Sequence, residues 1–316
     1  MLKIEDSNYN MNIIRKVSKR ITDKDYRWMS NASHGLYNNM SDEEYIRKKF
    51  KILLGYDLDL ENPRTFNEKN NWRKLYDRKP IYIQMVDKYA IKELIRERIG
   101  AEHSFNLIDV WDSPKDISID NLPQQFVLKA NHAGGIIVCR DKNFFDLNRA
   151  KSELEKLYNY DMFKKDREWP YKNVQRKIIC EEYMGENLID FKNYCFNGRM
   201  LYSFVWKNES KEDGRKPKAY FCGAYNRDWN KTNISILYPK KNETIEKPQA
   251  YDEMIEICER ISKGIPFVRV DCYVINNRVY IGEMTFFPWA GFQKFADIKY
   301  DYELGELEDL SQCNKL

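Results

Sequence analysis

Two segments near the C-terminus carry an arginine and two acids at strand spacing. "FVRVDCYV" alternates, so Arg269 and Asp271 share one face of a strand, and in "YIGEMTF" Glu283 and Thr285 share a face by the same rule. An Asp and a Glu on one sheet face beside an arginine are costly to build without a cation. Mg²⁺ prefers carboxylate and phosphate oxygens and is the natural occupant. The alternative is a pair of exposed acids on a solvated sheet face.

The register of this hairpin decides whether the two acids meet. If the two asparagines of "INNR" alone form the turn, Asp271 pairs with residue 282 and Glu283 falls on the opposite face. A three-residue loop that includes Arg278, or a bulge, pairs Asp271 with Glu283 instead. The magnesium interpretation therefore predicts an odd-length loop.

A second segment, "FVLKANHAGG", ends an apolar run in a lysine and a glycine turn. Lys129 must find an anion if it turns inward, and Gly134 and Gly135 allow the backbone to approach a ligand closely. Backbone N–H groups in such a turn can cradle phosphate oxygens. The segment has neither the Gly-Lys-Ser/Thr of a P-loop nor the GxGxxG pattern. Taken alone, it is more typical of a structural hairpin turn.

A third segment, "IICEEYMGENLIDFK", runs from an apolar strand into Glu181, Glu182, Tyr183 and Met184, and then meets Gly185. A strand that becomes a linker exposes backbone N–H and C=O groups, which can bind an adenine edge. A following acid can bind ribose hydroxyls. The alternative is a strand end with solvated acids.

The first eighty residues, which precede all three segments, are predicted to be helical. "SDEEYIRKKFKILLG" has Ser41 as an N-cap, Glu44 three residues later, and Gly55 as a stop. A further helix begins with Thr65 or Asn67 as its cap. The segments with candidate chemistry lie beyond this helical region.

The rest of the chain mixes helices with short β-rich runs. An amphipathic helix is predicted over residues 84–99, a second helix follows Asp146, and a third covers residues 252–263. Asn197-Gly198 is the strongest hairpin signal in the chain. Strand pairs and helices in two clusters predict an α+β architecture with an antiparallel-rich sheet in each half.

Composition narrows the classes of function. A chain of 316 residues allows two domains, or one large domain with an appendage. The net charge of +4 is too small and too dispersed for a dedicated nucleic-acid surface. Three scattered histidines form no zinc site by spacing, and seven cysteines without a Cys-x-x-Cys pair predict buried thiols in a reducing compartment. The chain has no signal-peptide core and no run of about 18 apolar residues. It is predicted to be cytoplasmic, and its basic opening helix leaves peripheral membrane contact open.

The candidate segments occur in the order that a single nucleotide site needs. On them the chain resembles the ATP-grasp enzymes, and more closely the TupA-like ATP-grasp group of bacterial polysaccharide gene clusters, named for teichuronopeptide synthesis. The resemblance covers roughly residues 40–300. The segments that carry it are "NPRTFNEKNNWRKLYDR", "MVDKYAIKELIRERIG", "FVLKANHAGG", "EEYMGENLIDFKNYCFNG" and "RVDCYVINNRVYIGEMTFFPWAGF".

The resemblance implies which residues contact ATP. Two lysines would bind its phosphates, a glycine loop would close over the triphosphate, and a hinge would bind the adenine. The implied residues are Lys88 and Lys129 for the phosphates, His132, Gly134 and Gly135 for the loop, Glu181, Glu182, Tyr183 and Met184 for the hinge, Glu186 or Asp190 near the ribose, and Lys192 as a further contact.

The resemblance also implies the metal and catalytic residues. Asp271 and Glu283 would be the magnesium carboxylates, and Arg269 would stabilise an acyl phosphate and a tetrahedral intermediate. Most ATP-grasp enzymes have an asparagine where this chain has Thr285, whose hydroxyl can still ligate Mg²⁺. The residue that holds the γ-phosphate should lie in the polar run "NESKEDGRKPK", with Arg215 and Lys218 as the candidates.

The implied fold has two α+β subdomains that clasp ATP, with boundaries at 1–80, 81–184 and 185–316. The implied activity is an ATP- and Mg²⁺-dependent carboxylate–amine ligase that joins an amino acid to a glycan or glycan-lipid acceptor. Four tryptophans near the expected mouth would suit stacking on sugar faces, but they equally suit an ordinary core: Trp72, Trp206, Trp229 and Trp289.

Three rival functions stay open on the sequence. A glycosyltransferase could use the Asp-x-Asp triplet at Asp57 and Asp59, although this triplet follows a helix stop and not a strand. A kinase that acts on a glycan hydroxyl could use the same ATP site. A binding module without catalysis is disfavoured by the intact set of Arg269, Asp271 and Glu283. The oligomeric state and the identities of the sugar and the amino acid stay open.

Overall fold

The structure is a computed structural model that describes residues 19–209 and 218–313. Every strand pair in its two sheets is antiparallel, with strand order β1-β4-β2-β3 in the small sheet and β7-β6-β5-β8-β9 in the large one. Helices precede, separate and follow groups of these strands. The predicted α+β class with two antiparallel sheets is confirmed.

The described helices before the first strand include α1 (Lys24–Ser33), α2 (Asp42–Leu54), α3 (Phe66–Tyr76), α4 (Ile81–Val86) and α5 (Ile91–Arg98). Ser41 Oγ accepts from the Glu44 backbone N–H at 3.3 Å, and Gly55 ends α2 in the left-handed region, as predicted. Thr65 is the cap of α3, in a reciprocal capping box with Glu68.

The single helix predicted over residues 84–99 is wrong, because the chain leaves the helix between α4 and α5. Asp87 Oδ1 accepts from the backbone N–H groups of Tyr89 and Ala90, and also from Asn131 Nδ2 at 2.9 Å. A short acidic side chain that binds nearby backbone in this way competes with helical hydrogen bonding. The break leaves Lys88 outside both helices.

The small sheet contains four strands and is covered on one side by a helix. Its elements are β1 (Leu107–Trp111), β2 (Phe126–Ala130), β3 (Ile137–Cys139), α6 (Leu147–Tyr158), α7 (Met162–Asp166) and β4 (Ile178–Glu182). Phe126, Leu128, Ile178 and Cys180 pack with Leu154 of α6 in one core. The alternate residues of β2 and β4 therefore face away from this core, and Lys129 and Glu181 are among them.

The large sheet carries the hairpin with the two acids. Its elements are β5 (Ile189–Phe196), β6 (Arg199–Glu209), β7 (Lys218–Asn226), α8 (Tyr251–Ile261), β8 (Phe267–Ile275), β9 (Arg278–Thr285) and α9 (Lys299–Glu306). Asn197 and Gly198 form the turn between β5 and β6 with φ of 52° and 75°, as the hairpin signal predicted.

The two faces of the large sheet are covered differently. Helix α8 packs on one face together with α4 and α5, in the largest core of the protein. The other face packs against Phe66 of α3, Leu304 of α9 and the segment around Ile236, but only over part of its area. The part of this second face outside that core carries the charged residues described below. The predicted boundaries at 80/81 and 184/185 stay predictions.

The seven cysteines are all buried and unpaired by disulfides, as the sequence predicted. Among the described residues, no helix is both long enough and apolar enough to cross a membrane.

Candidate nucleotide and metal site

The hairpin of β8 and β9 places the two predicted metal acids directly opposite each other. Asp271 pairs with Glu283, and Arg269 pairs with Thr285. The predicted odd-length loop is wrong, because Ile275 pairs with Arg278 across a two-residue turn. The one-residue shift comes from the bulge that was the other possibility.

Gly282 is the extra residue of this bulge. Cys272 pairs with Ile281 while the preceding residue, Asp271, pairs with Glu283, so residue 282 has no partner in the ladder. A Cβ added at position 282 would lie 2.6 Å from Cε2 of Tyr273. The site therefore depends on a glycine inside a strand, where glycine commonly marks a bulge.

Arg269 lies among the three predicted metal ligands. Its Nε is 2.5 Å from Asp271 Oδ1, and its Nη2 is 2.7 Å from Asp271 Oδ2, 3.0 Å from Thr285 Oγ1 and 3.3 Å from Glu283 Oε1. Both Arg269 and Asp271 are buried. Burial alone would lower the pKa of Arg269, but the neighbouring Asp271 has the larger opposite effect and the pKa is raised. The guanidinium therefore stays charged and neutralises the carboxylate.

Lys192 extends this network onto the next strand. It pairs with Asp271 across β5 and β8, and its Nζ is 2.7 Å from both Asp271 Oδ2 and Asp190 Oδ2. Burial alone would lower the pKa of Lys192, but the two acids raise it to about 12. Burial raises the pKa of Asp190 to about 6 against the effect of Lys192. Two predicted nucleotide contacts thus lie beside the predicted metal ligands.

Lys88 joins the two sheets through the break between α4 and α5. Its Nζ donates to the carbonyl of Ala133 at 3.2 Å and lies 3.3 Å from Glu283 Oε2. Burial alone would raise the pKa of Glu283, but Lys88 and Arg269 outweigh it and lower the pKa to about 2. The glycine loop and the acid hairpin therefore meet at one lysine.

A second cluster of charges lies on the open face of the small sheet. Lys129 Nζ is 2.5 Å from Glu181 Oε2, and Lys92 Nζ is 2.5 Å from Glu181 Oε1. Burial alone would raise the pKa of Glu181, but the two lysines outweigh it and lower it. The sequence interpretation did not identify Lys92. Helical spacing from Lys88 could not have revealed it, because Lys88 lies outside the helix that carries Lys92.

The remaining residues of the predicted hinge and ribose contact lie in different surroundings. Glu182 points away from Glu181, because its Oε1 accepts from the backbone N–H of Asn106 at 2.9 Å. Tyr183 and Met184 follow β4 without regular structure. Glu186 forms an ion pair with Arg140, whereas Asp190 lies in the cluster with Lys192. The nucleotide roles of these residues stay predictions.

His132 contacts protein atoms on both sides of its ring. Nδ1 is 3.2 Å from Asn131 Oδ1 and Nε2 is 3.2 Å from the carbonyl oxygen of Tyr160. Its side chain is buried, and burial lowers its pKa to about 4. These contacts favour a role in bracing the loop. Gly134, by contrast, faces open space, where a Cβ would meet no atom within 4 Å.

The two candidates for the γ-phosphate contact are not placed by the structure. Arg215 lies outside the described residues, and Lys218 begins β7 without a described side chain. Both roles stay predictions.

The predicted metal ligands fit Mg²⁺ only in a particular way. Within the described residues, no group of three His, Cys, Asp or Glu side chains could hold a metal ion. Two carboxylates and the Thr285 hydroxyl are hard oxygen donors, and Mg²⁺ is usually held by one or two carboxylates together with substrate phosphates. The donor set therefore fits an ion shared with a phosphate ligand, and not an ion held by protein alone.

Comparison with known proteins gives one family match. A family model described as "TupA-like ATPgrasp" matches residues 68–308 of this chain. This range contains the hinge, the glycine loop and the acid hairpin. No curated protein sequence matches the chain.

Three solved structures illustrate the similar folds. D-alanine–D-alanine ligase from Bacillus anthracis, complexed with ATP, is 17% identical over 64% of this chain and 55% of its own, with a TM-score of 0.38. The Helicobacter pylori D-alanine–D-alanine ligase is 12% identical over 77% of this chain and 69% of its own, with a TM-score of 0.43. Phosphoribosylamine–glycine ligase from Thermotoga maritima is 13% identical over 66% of this chain and 49% of its own, with a TM-score of 0.42. This chain thus spans about half the length of the first and third. The TM-scores lie below 0.5, so these similarities carry no conclusion about substrate or mechanism.

Proposed function

Because the chain belongs to the TupA-like ATP-grasp family, we propose that it is an ATP- and Mg²⁺-dependent ligase. It would join a carboxylate to an amine through an acyl phosphate and release ADP. One observation supports this most directly. Asp271 and Glu283 are cross-strand neighbours, and Arg269, Lys192 and Lys88 all lie within 3.3 Å of one or both of them.

The residues around this pair would divide the work of binding. Lys88 and Lys192 would exchange their present carboxylate partners for phosphate oxygens of ATP. Asp271, Glu283 and Thr285 would then be free to hold Mg²⁺, which when bound neutralises charge on the phosphates. At the other end, the buried Glu181 would keep Lys92 and Lys129 oriented toward the nucleotide.

The chemistry would proceed in two steps. A substrate carboxylate attacks the γ-phosphorus, the bond to the β-phosphate oxygen breaks, and ADP leaves. An amine then attacks the acyl carbon, loses a proton, and displaces inorganic phosphate to form an amide. Arg269 would stabilise the charge that develops in both steps, and positioning supplies most of the remaining rate. The His132 to Gly135 loop would exclude the water that otherwise hydrolyses an acyl phosphate.

We further propose that the partners are an amino acid and a glycan or glycan-lipid that carries a uronic acid or an amino sugar. This part rests on the family to which the chain belongs. The product would enter surface polysaccharide synthesis, and the reaction would take place in the cytoplasm, where ATP is supplied. A peripheral contact with a membrane would fit a lipid-linked acceptor.

The test compares Asp271→Asn and Glu283→Gln with the unchanged protein in a mixture of ATP, Mg²⁺, glycan precursor and each amino acid. ADP and a product heavier by one amino acid less one water are expected only with the unchanged protein. Glu253→Gln is the matched control, since Glu253 is exposed on α8 and belongs to none of the predicted nucleotide or metal contacts, and it should retain ADP formation. Circular dichroism verifies that all variants are folded.

Other outcomes would replace the proposal. A product heavier by one phosphate would indicate a glycan kinase. Transfer from a sugar nucleotide without ATP turnover would indicate a glycosyltransferase. Full ADP formation by both hairpin variants would remove the two acids from the mechanism.

A further inference from the structure

A cavity of about 220 Å³ lies beside the acid hairpin, on the face of the large sheet that carries Lys192 and Arg269. Asp190, Lys192 and Arg269 form its charged end. Binding sites for drug-sized ligands span about 300–1,000 Å³, so this cavity has room for a single ring. Most of its remaining wall is aromatic: Tyr194, Phe204, Trp206, Tyr238 and Trp289.

Three of these rings form a corner. The centroids of Trp206 and Tyr238 are 4.8 Å apart, those of Tyr238 and Trp289 are 5.5 Å apart, and those of Trp206 and Trp289 are 6.3 Å apart. Trp289 keeps 45% of its surface exposed at the mouth. An exposed indole beside two other rings offers an apolar flat surface to a ligand.

Two buried polar atoms in the cavity wall have no hydrogen-bond partner among the described residues. They are the indole N–H of Trp206 and Oδ1 of Asp190, on residues that pair directly across β5 and β6. A buried donor or acceptor without a partner costs free energy, so such a group calls for an explanation. Here one donor and one acceptor adjoin the aromatic surface, which is the polar complement of a hydroxyl group.

The loop that carries Trp289 has a strained backbone, and side chains of α3 hold it by hydrogen bonds. Trp289 and Ala290 have φ of 53° and 54°, in the left-handed region that residues with a Cβ seldom adopt. Strained backbone persists where the surroundings fix it, and it clusters at ligand sites. Lys74 Nζ donates to the Ala290 carbonyl at 2.5 Å, and Asn71 Nδ2 donates to the Gly291 carbonyl at 2.7 Å. Buried polar residues of α3 thus fix the indole at the cavity mouth.

We propose that this cavity binds one pyranose ring of the acceptor glycan. The C–H face of the ring stacks on Trp289 and Trp206, and its hydroxyls pair with the Trp206 N–H and with Asp190 Oδ1. The reacting substituent of the sugar then points toward Arg269. This inference rests on the proposed ligase function and assigns the sugar to one side of its site.

An amino acid fits the cavity less well than a sugar does. A pyranose ring presents a flat face of C–H groups to the rings of Trp206 and Trp289, whereas an aliphatic amino acid has no such face. The unpaired atoms are a neutral donor and a single carboxylate oxygen. These match hydroxyl groups on a ring with an apolar face.

The test measures binding of methyl β-D-glucuronide and methyl β-D-glucosaminide by saturation-transfer NMR and by tryptophan fluorescence, with free amino acids as comparison probes. One of the two glycosides should bind, and the preferred one shows whether the sugar carries the carboxylate or the amine. Trp289→Ala should weaken that binding at least tenfold. Trp206→Phe, which keeps a ring and removes the N–H, should weaken it several-fold. Phe144→Ala is the control, since this 88% exposed aromatic lies on the small subdomain.

The outcomes separate this inference from the proposed function. Equal glycoside affinity in the unchanged protein and Trp289→Ala, no binding of either glycoside, or loss of amino-acid binding in that variant would overturn the sugar assignment. ATP affinity is measured by calorimetry in the same samples and should be the same in Trp289→Ala. Glycoside binding that depends on Trp289 without any ATP-dependent ADP formation would support the cavity while removing the ligase function.

Discussion

The buried acids of the two charge clusters of the candidate site are already compensated by neighbouring cations. Glu181 has Lys92 and Lys129, and Asp271 has Arg269 and Lys192. Uncompensated buried charge is strongly unfavourable, so these pairs let the site fold without a ligand. The lysines and the arginine are also the groups that an anionic ligand needs. If the proposed function holds, binding of a triphosphate with Mg²⁺ would exchange these carboxylate partners for phosphate oxygens.

His132 gives a prediction at the same scale, on the pH dependence of stability. Burial lowers its pKa to about 4 from an ordinary 6.5, and the charges of Arg176 and Lys88 lower it further. Between pH 6.5 and about 4, His132 is protonated in the unfolded chain but neutral in the folded protein. The free energy of unfolding therefore falls as the pH drops from 6.5 toward 4. At about 1.4 kcal/mol per pKa unit, the whole loss is about 3–4 kcal/mol.

Urea unfolding at several pH values checks this prediction. His132→Gln removes the ionisable ring and should flatten the dependence between pH 4 and 6.5, as judged by the difference from the unchanged protein at each pH. His34→Gln serves as the control, because His34 is exposed, and it should leave the dependence intact. Parallel curves for the unchanged protein and His132→Gln would contradict a buried neutral imidazole.

At the scale of elements, two irregularities build the site. The Gly282 bulge aligns Asp271 with Glu283, and the break at Asp87 frees Lys88 from a helix. Strand alternation and the turn residues allowed the hairpin and its residues to be predicted from the sequence. The choice between loop and bulge was not predictable, because both satisfy the same alternation. The helix break was not predicted, because the apolar periodicity of residues 84–99 is helical throughout. The side-chain hydrogen bonds of Asp87 that interrupt the helix leave no mark on that periodicity.

Helix α3 is the element whose role the sequence did not reveal. Its polar residues Asn67, Asn71 and Lys74 are fully buried, although their pattern resembles that of a solvated helical face. Their partners include the backbone groups of residues 290–293, more than 200 positions along the chain. Contacts of that sequence separation leave no local pattern from which they could be inferred.

Replacement of Asn71 by alanine tests this role. The change removes the donor to the Gly291 carbonyl and leaves that buried acceptor without it, so we expect a loss of about 1–3 kcal/mol in stability. The loop that carries Trp289 should loosen, which raises the KM for the acceptor and leaves the KM for ATP unchanged. Lys69→Ala is the control, since Lys69 binds the carbonyls of Gly305 and Glu308 instead of this loop. Equal rises in both KM values for Asn71→Ala would point to a general loss of folding.

At the scale of the whole molecule, a single lysine joins the charged parts of the two antiparallel sheets. Lys88 contacts both the glycine loop of the small sheet and the acid hairpin of the large one. The net charge of +4 describes none of this, because the charges that matter are few and mutually paired. The α+β class was predictable from the order of strands and helices, whereas the link through Lys88 was not.

This arrangement predicts that ATP and Mg²⁺ stabilise the protein cooperatively. Mg²⁺ alone must compete with Arg269, Lys192 and Lys88 for two carboxylates, so it should raise the Tm very little. On the proposed function, ATP would draw the lysines to its phosphates and leave the carboxylates accessible to the ion. A ligand at 100 times its Kd stabilises the folded state by about 2.7 kcal/mol, and the two together should exceed the sum of their separate effects. Thermal unfolding with each ligand and with both measures this directly. Asp271→Asn should retain the shift with ATP alone and lose the increment due to Mg²⁺, whereas strictly additive shifts in the unchanged protein would show that ion and nucleotide bind independently.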